Sequence, residues 1–324
     1  MKGKPRIRHL IWLCIALALG PGLASSQTPD AASKFRLASA LEQAGDLEHA
    51  VQLYRELAAK DPANTLFSDA LQRTLLQLKR YDEAIALINE RLQHSPRDAT
   101  LLTTLGTVYY RAGRERDAAA TWDRVLALEP SNPNIYRIVA SAQVENRLLD
   151  RAAETYRRGR AALGDRTQFT LELAQLLVAT MDYAGATQEF LSWLDQNPLQ
   201  VAFIQGRMTA FSAKPEAREA AIRVVQSALH RKENLRLYDL LGWLYMEGHD
   251  YASAYDAYAE VDRLSSAHGV SLLTFADRAA HDKAYDIAVR AYRAALSAPL
   301  PEGRRPAAML GYAAVLMAAG TDSA

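Results

Sequence analysis

Ala50, Ala84, Ala118, Ala152, Ala186, Ala220, Ala254 and Ala288 follow one another at intervals of 34 residues. A fixed period of this length marks a repeat architecture, in which one supersecondary element stacks on the next. A small residue at the anchor of every repeat points to paired helices, because only a small side chain lets two helices approach closely at their crossing. Counting from Ala31 makes the alanine the twentieth residue of its repeat. The seventh residues are then Leu37, Leu71, Leu105, Val139, Leu173, Arg207, Leu241 and Phe275. The eighth are Ala38, Gln72, Gly106, Ala140, Ala174, Met208, Gly242 and Ala276, and the twenty-fourth are Tyr54, Ile88, Trp122, Tyr156, Phe190, Val224, Tyr258 and Tyr292. Large apolar, small, small and aromatic residues each recur at one phase. Pro62, Pro96, Pro130 and Pro198 stand at the thirty-second position, where proline ends a second helix and starts the next segment.

Within a repeat the apolar spacing is helical. Leu71, Leu75 and Leu78 form one stripe, and Ala84, Leu87, Ile88 and Leu92 another. Gly45-Asp46, Gly113-Arg114 and Gly248-His249-Asp250 are turn signals between the paired helices. No stretch alternates as a strand would.

Leu105-Gly106-x-x-Tyr109 with Ala118-x-x-x-Trp122 and Pro130 resembles the tetratricopeptide repeat. So do Leu241-Gly242-x-x-Tyr245 with Ala254-x-x-x-Tyr258 and, more loosely, Leu37-Ala38 with Ala50-x-x-x-Tyr54 and Pro62. The likeness runs from residue 31 to about residue 302 in unbroken register. It implies an all-α fold: a right-handed superhelical solenoid of about eight helix-turn-helix repeats, starting at 31, 65, 99, 133, 167, 201, 235 and 269. Two repeats depart from the pattern. In the second, Gln72 and Arg91 stand at small or apolar positions. In the sixth, Arg207 and Met208 replace the apolar and small residues, and Pro215 enters the inter-helix turn. That repeat is expected to be distorted and loosely packed, so that Ala220 tolerates a larger side chain better than Ala118 or Ala254.

Residues 1–26 stand apart from the repeats. Lys2, Lys4, Arg6 and Arg8 precede an apolar run from Leu10 to Leu19, then Gly20-Pro21-Gly22 and the small residues Ala24-Ser25-Ser26. This is the layout of a secretory signal peptide, cleaved after Ala24 or Ser26. The run is far shorter than the roughly 20 apolar residues of a transmembrane helix. The single cysteine, Cys14, lies inside it behind Leu13, without the small residue that lipidation needs, so the mature chain has no thiol chemistry. Removing residues 1–26 takes the 38 basic and 37 acidic residues to 34 and 37, a net charge of −3. That balance argues against nucleic acid as a partner, and no integral membrane segment remains. Residues 303–324 read as a partial ninth repeat or a terminal helix. Met309 to Met317 is apolar all round, which points to a longer protein or to pairing or self-association at this end.

The chain shows no catalytic pattern. His9, His49, His94, His230, His249, His268 and His281 are scattered, with no metal-binding spacing. Asp61, Glu129 and Asp262 read as solvated or capping residues at repeat ends, and Trp122 and Trp193 as core. No cofactor or metal is expected. The tetratricopeptide resemblance implies a concave groove lined by positions 2, 5, 9, 12 and 13 of each first helix. Carried over, these are Phe35, Glu42, Arg73, Leu76, Thr107, Tyr110, Arg111, Arg137, Ser141, Gln175, Gln205, Thr209, Arg236, Asp239, Trp243, Met246 and Glu247. Tyr110 and Trp243 offer rigid contact area, and the arginines offer bidentate bonds to carboxylates. The reading is a non-catalytic, secreted, periplasmic scaffold that binds a protein segment or subunit in its groove, in cell-envelope assembly. The alternatives are the amino-terminal arm of an exopolysaccharide export machine or of a longer protein, and a helical-solenoid cell-wall enzyme, for which no catalytic domain is in sight.

Overall fold

The computed structural model describes residues 29–322, and the regular elements among them are all helical. The expected signal segment, with Cys14 and His9, lies outside the described residues. Two compact units are formed, one ending at Arg91 and the other starting at Leu92. The first holds α1 (Pro29–Gln43), α2 (Leu47–Lys60) and α3 (Thr65–Gln77), followed by α4 (Tyr81–His94). In it α2 packs on both α1 and α3.

The second compact unit is a run of helical hairpins. These are α5 (Ala99–Arg111) with α6 (Glu115–Leu128), α7 (Pro133–Glu145) with α8 (Leu149–Leu163), and α9 (Thr170–Ala179) with α10 (Tyr183–Gln196). Then come α11 (Val201–Ser212) with α12 (Pro215–Arg231), α13 (Leu235–Glu247) with α14 (Tyr251–Ser265), and α15 (Val270–His281) with α16 (Tyr285–Ser297). A last helix, α17 (Arg305–Asp322), packs on α16 and α15. Each second helix also packs on the first helix of the next hairpin, as in α6 on α7, α8 on α9 and α14 on α15. This is the solenoid stacking that the 34-residue period requires.

Seven hairpins close in the same way. Position 15 of the repeat adopts a left-handed backbone at Gly45, Lys79, Gly113, Arg147, Met181, His249 and Lys283. The next N–H reaches back five residues, from Asp46 to the Leu41 carbonyl (2.9 Å), Arg114 to Tyr109 (2.9 Å), Asp182 to Leu177 (2.8 Å) and Asp250 to Tyr245 (3.0 Å). These are Schellman bonds, which satisfy carbonyls left open at a helix end. Glycine adopts that backbone without strain, but five of the seven residues are not glycine. In the third turn signal it is His249, not Gly248, that turns left-handed. At Gly248 a Cβ would lie 2.7 Å from Nε of the Arg218 side chain, which would have to shift to admit it. Met181 is 70% exposed, so little packing is lost if it is replaced. Met181→Gly is therefore expected to raise the unfolding free energy by about 0.5–1 kcal/mol, and Gly113→Ala to lower it by a similar amount. Thermal melts of the two variants check the pair, and shifts of the same sign would contradict it.

The alanines anchor the crossings. Ala50, Ala84, Ala118, Ala152, Ala186, Ala254 and Ala288 are fully buried. The aromatic at position 24 lies under the small residue at position 8. A Cβ on Gly106 would stand 2.5 Å from the Trp122 indole nitrogen, and one on Gly242 would stand 2.8 Å from the Tyr258 ring. Between repeats, Asn64, Asp98, Asn132 and Asn234 occupy position 34 and cap the following first helix through their side-chain oxygens. Asp262, expected as a capping residue, accepts the N–H groups of Gly269 (2.8 Å) and Ser271 (3.0 Å).

The sixth repeat departs in a specific way. Position 15 is Pro215, whose ring fixes φ near −65° and forbids the left-handed turn. The linker shrinks to Ala213 and Lys214, and Pro215 becomes the first residue of α12, a position that suits proline. Starting early rotates the helix. Ala217, Ala221 and Val225 face the core, while Ala220 is only half-buried. In α11 the buried residues are Ile204, Met208, Phe211 and Ser212, and Arg207 at the seventh position is exposed. Both helices have slipped by one residue. The expectation of a loosely packed repeat is corrected accordingly: Met208 and Ala221 are fully buried. What has weakened is the bond within the hairpin, since α12 packs mainly on α10 and α13. The seventh hairpin regains the common register at the Asn234 cap.

Candidate functional site

The ninth position of the repeat carries a polar residue in every repeat except the seventh, where it is Trp243. In the second compact unit, α7, α9 and α11 expose Ser141, Gln175 and Thr209 there, and α5 leaves Thr107 half-buried. Positions 7 and 8 of a first helix turn into the stack and position 9 comes round to the opposite side, a consequence of the 3.6-residue turn. Tyr110 is half-buried, its ring centroid 6.3 Å from that of Trp122. Gln205, Arg236, Asp239 and Glu247 are also half-buried, and Arg111 is exposed.

Two expected contact residues are not on the surface. Trp243 is 8% exposed and joins the apolar cluster of Ile204, Met208, Phe211 and Ala221. Met246 is 5% exposed and joins the cluster of Ala254, Tyr258 and Leu272. Trp243 therefore serves packing beside the slipped sixth repeat and offers a ligand little area.

Three expected anion-binding arginines are committed within the chain. Arg111 donates from Nε to the Asn146 side-chain oxygen at 3.1 Å. Arg137 donates from Nε to Glu172 at 3.1 Å, with its guanidinium 5.1 Å from the centre of the Phe169 ring. In the first compact unit Arg73 grips Glu42 with two bonds of 2.8 Å. All three pairs join side chains about one repeat apart, so they strap successive first helices together. Each is half-exposed or better on at least one side, which limits its energetic weight.

Glu42 also accepts the Tyr54 hydroxyl at 3.0 Å and Gln77 at 3.4 Å. The Arg73 hydrogen bonds hold its carboxyl below the usual carboxylate range. A carboxylate with a depressed folded pKa stabilises the fold above its unfolded pKa, and that contribution is lost as pH falls through the folded value. Glu42→Gln is therefore expected to cost stability at neutral pH and to flatten the loss of stability below the ordinary glutamate range. Denaturant midpoints measured across acid pH decide it; an unchanged acid slope would contradict the assignment. Further along, burial raises the Asp239 carboxyl against the opposing pull of Arg278, and burial pushes the Tyr258 phenol up to about 12.

The histidines at 49, 94, 230, 249, 268 and 281 are exposed. Among the described residues no group of three His, Cys, Asp or Glu could hold a metal ion, and no helix is long and apolar enough to cross a membrane. The sequence reading gave no contact role to Leu199, Phe203 or Arg207, which are exposed at the end of the fifth repeat and in the first helix of the sixth. Pro215 at a left-handed position was the available signal.

Hairpins of this length, closed alike and stacked through small anchors, define a helical-repeat protein. Tetratricopeptide-repeat family models match residues 16–65 and 75–142. The chain carries tetratricopeptide repeats, a fold that is in general a protein-interaction scaffold. Among solved structures, MamA from Desulfovibrio magneticus RS-1 (residues 41 to the end) is 16% identical over 53% of this chain and 98% of that one, with a TM-score of 0.34. The Naa15/Naa10 complex bound to HypK-THB is 12% identical over 80% and 52%, with a TM-score of 0.34. The APC/C hetero-tetramer Cut9–Hcn1 is 15% identical over 83% and 52%, with a TM-score of 0.29. Similarity at this level is no guide to function. No curated protein matches the sequence.

Proposed function

We propose that this protein is an exported, non-catalytic scaffold that binds a polypeptide segment of a partner subunit on the first-helix face of repeats three to six, in assembly of the cell envelope. The polar lane at position nine carries the reading. Ser141, Gln175 and Thr209 are exposed on successive first helices, which suits hydrogen bonding along an extended segment more than recognition of a bulk polyanion. The commitment of Arg111 and Arg137 to neighbouring repeats points the same way. Export rests on the basic start, short apolar run and small residues of 1–26.

Two measurements test the proposal. Mass spectrometry of protein recovered from an envelope fraction should find a first residue of Ser25 or Gln27; intact, soluble Met1 protein in the cytoplasm would overturn export. A photo-crosslinking residue at Ser141 or Gln175 should capture a partner, whereas one at Asp123 or Arg157 on the second helices should not. Capture from the second helices alone would move the site.

A further inference from the structure

In seven repeats the seventh position is apolar, and from Leu71 to Phe275 those apolar residues are buried. In the sixth it is Arg207, and the slip of α11 brings it to the surface with Phe203 and Gly206. Ala202, Gly206 and Ala210 recur every four residues and are all exposed, so they form one low, side-chain-poor strip along the helix. A Cβ on Gly206 would meet nothing within 4 Å. Phe203 borders the strip at 37% exposure, and Leu199, just before the helix, is 93% exposed. The Arg207 guanidinium lies over the Phe203 ring at 5.1 Å.

The charge on this helix is one-sided: Arg207 is the only charged residue of α11. Between Asp195 and Glu216 the chain has no acidic residue, and its two cations are Arg207 and Lys214. Among the described residues neither forms a salt bridge; Lys214 bonds the Tyr183 hydroxyl at 3.4 Å. The strap between the fourth and fifth repeats is compensated, Arg137 by Glu172. This helix therefore presents a largely apolar face whose one charge is positive.

We propose that this face of α11 is the specificity element of the scaffold, and that it takes a segment in which bulky apolar residues neighbour aspartate or glutamate. The apolar side chain covers Gly206 against Phe203, and the carboxylate meets Arg207. Cation and aromatic ring are already stacked, so little ordering is needed on binding. This rests on the polypeptide-binding reading above.

The probes are two dye-labelled, end-blocked peptides, one alternating leucine with aspartate and one alternating leucine with lysine, titrated into the full chain by fluorescence anisotropy. The aspartate peptide should bind more tightly. Gly206→Leu projects into open space and replaces a helix-interior glycine, so it should melt no lower than the parent while weakening the aspartate peptide tenfold or more. Arg207→Glu should reverse the charge preference. The proposal is overturned if Gly206→Leu binds as the parent does, if Arg207→Glu keeps the preference, or if neither peptide binds the parent at millimolar concentration. It is equally overturned if sedimentation shows a dimer that Gly206→Leu dissolves, since the face would then belong to a second copy. Crosslinking from Ser141 that persists in Gly206→Leu, with peptide binding unchanged, sinks this inference and leaves the scaffold reading standing.

Discussion

Trp122→Ala is expected to lower the unfolding free energy by about 3–5 kcal/mol, the range for truncating a buried aromatic. Trp122 is among the largest fully buried side chains. Its indole N–H donates to the Thr103 carbonyl at 3.3 Å, and its ring fills the space that Gly106 leaves. The same geometry predicts a coupling. Gly106→Val alone drives its Cβ into the indole and should cost about 1–3 kcal/mol by overpacking. In the double variant the new side chain enters space that the indole vacated, so the combined loss should fall short of the sum by about 1 kcal/mol or more. Urea denaturation of the four proteins gives the cycle. Strict additivity would mean that the two residues do not share one space.

The packing alanines give the second large effect. Ala118→Leu, Ala254→Leu and Ala221→Leu should each cost about 1–3 kcal/mol, while Ala220→Leu should cost clearly less. The first three are fully buried and Ala220 is only half-buried. The sequence alone also ranks Ala220 as the tolerant site, but for another reason, loose packing. The Ala221 variant separates the two explanations. A silent Ala221→Leu beside a damaging Ala220→Leu would place the crossing where the 34-residue count puts it and remove the slip.

Much of the fold is legible because the period, the anchor alanines and the small-over-aromatic pair are all local consequences of helix packing. Ala118, Gly106 and Trp122 each announce their place. The groove is less legible, because position predicts which way a residue faces only where the helix keeps its phase and its neighbour takes up no extra space. Trp243 and Met246 fail on the second count: apolar, they fill room beside their neighbours. Gln205 was assigned on a phase that α11 does not keep and is half-buried, while Thr209 stays exposed despite the slip. The arginines fail for a different reason. A guanidinium at position 9, 5 or 13 can reach the adjoining repeat as easily as a ligand, and the chain supplies Glu42, Glu172 and Asn146 at the right distance. The alanine at 220 hides the slip completely, since the longer α12 restores the residue count that the shortened turn removed.

That compensation makes the sixth repeat behave like a stacking fault in a layered crystal. The error is one residue of rotation, it is confined to a single layer, and the lattice resumes beyond it at full registry. Layers bound only to their nearest neighbours have no means of transmitting a phase error further. An array of this kind can therefore absorb a shortened turn, and gain a chemically distinct step on an otherwise uniform surface, without redesign of the layers on either side.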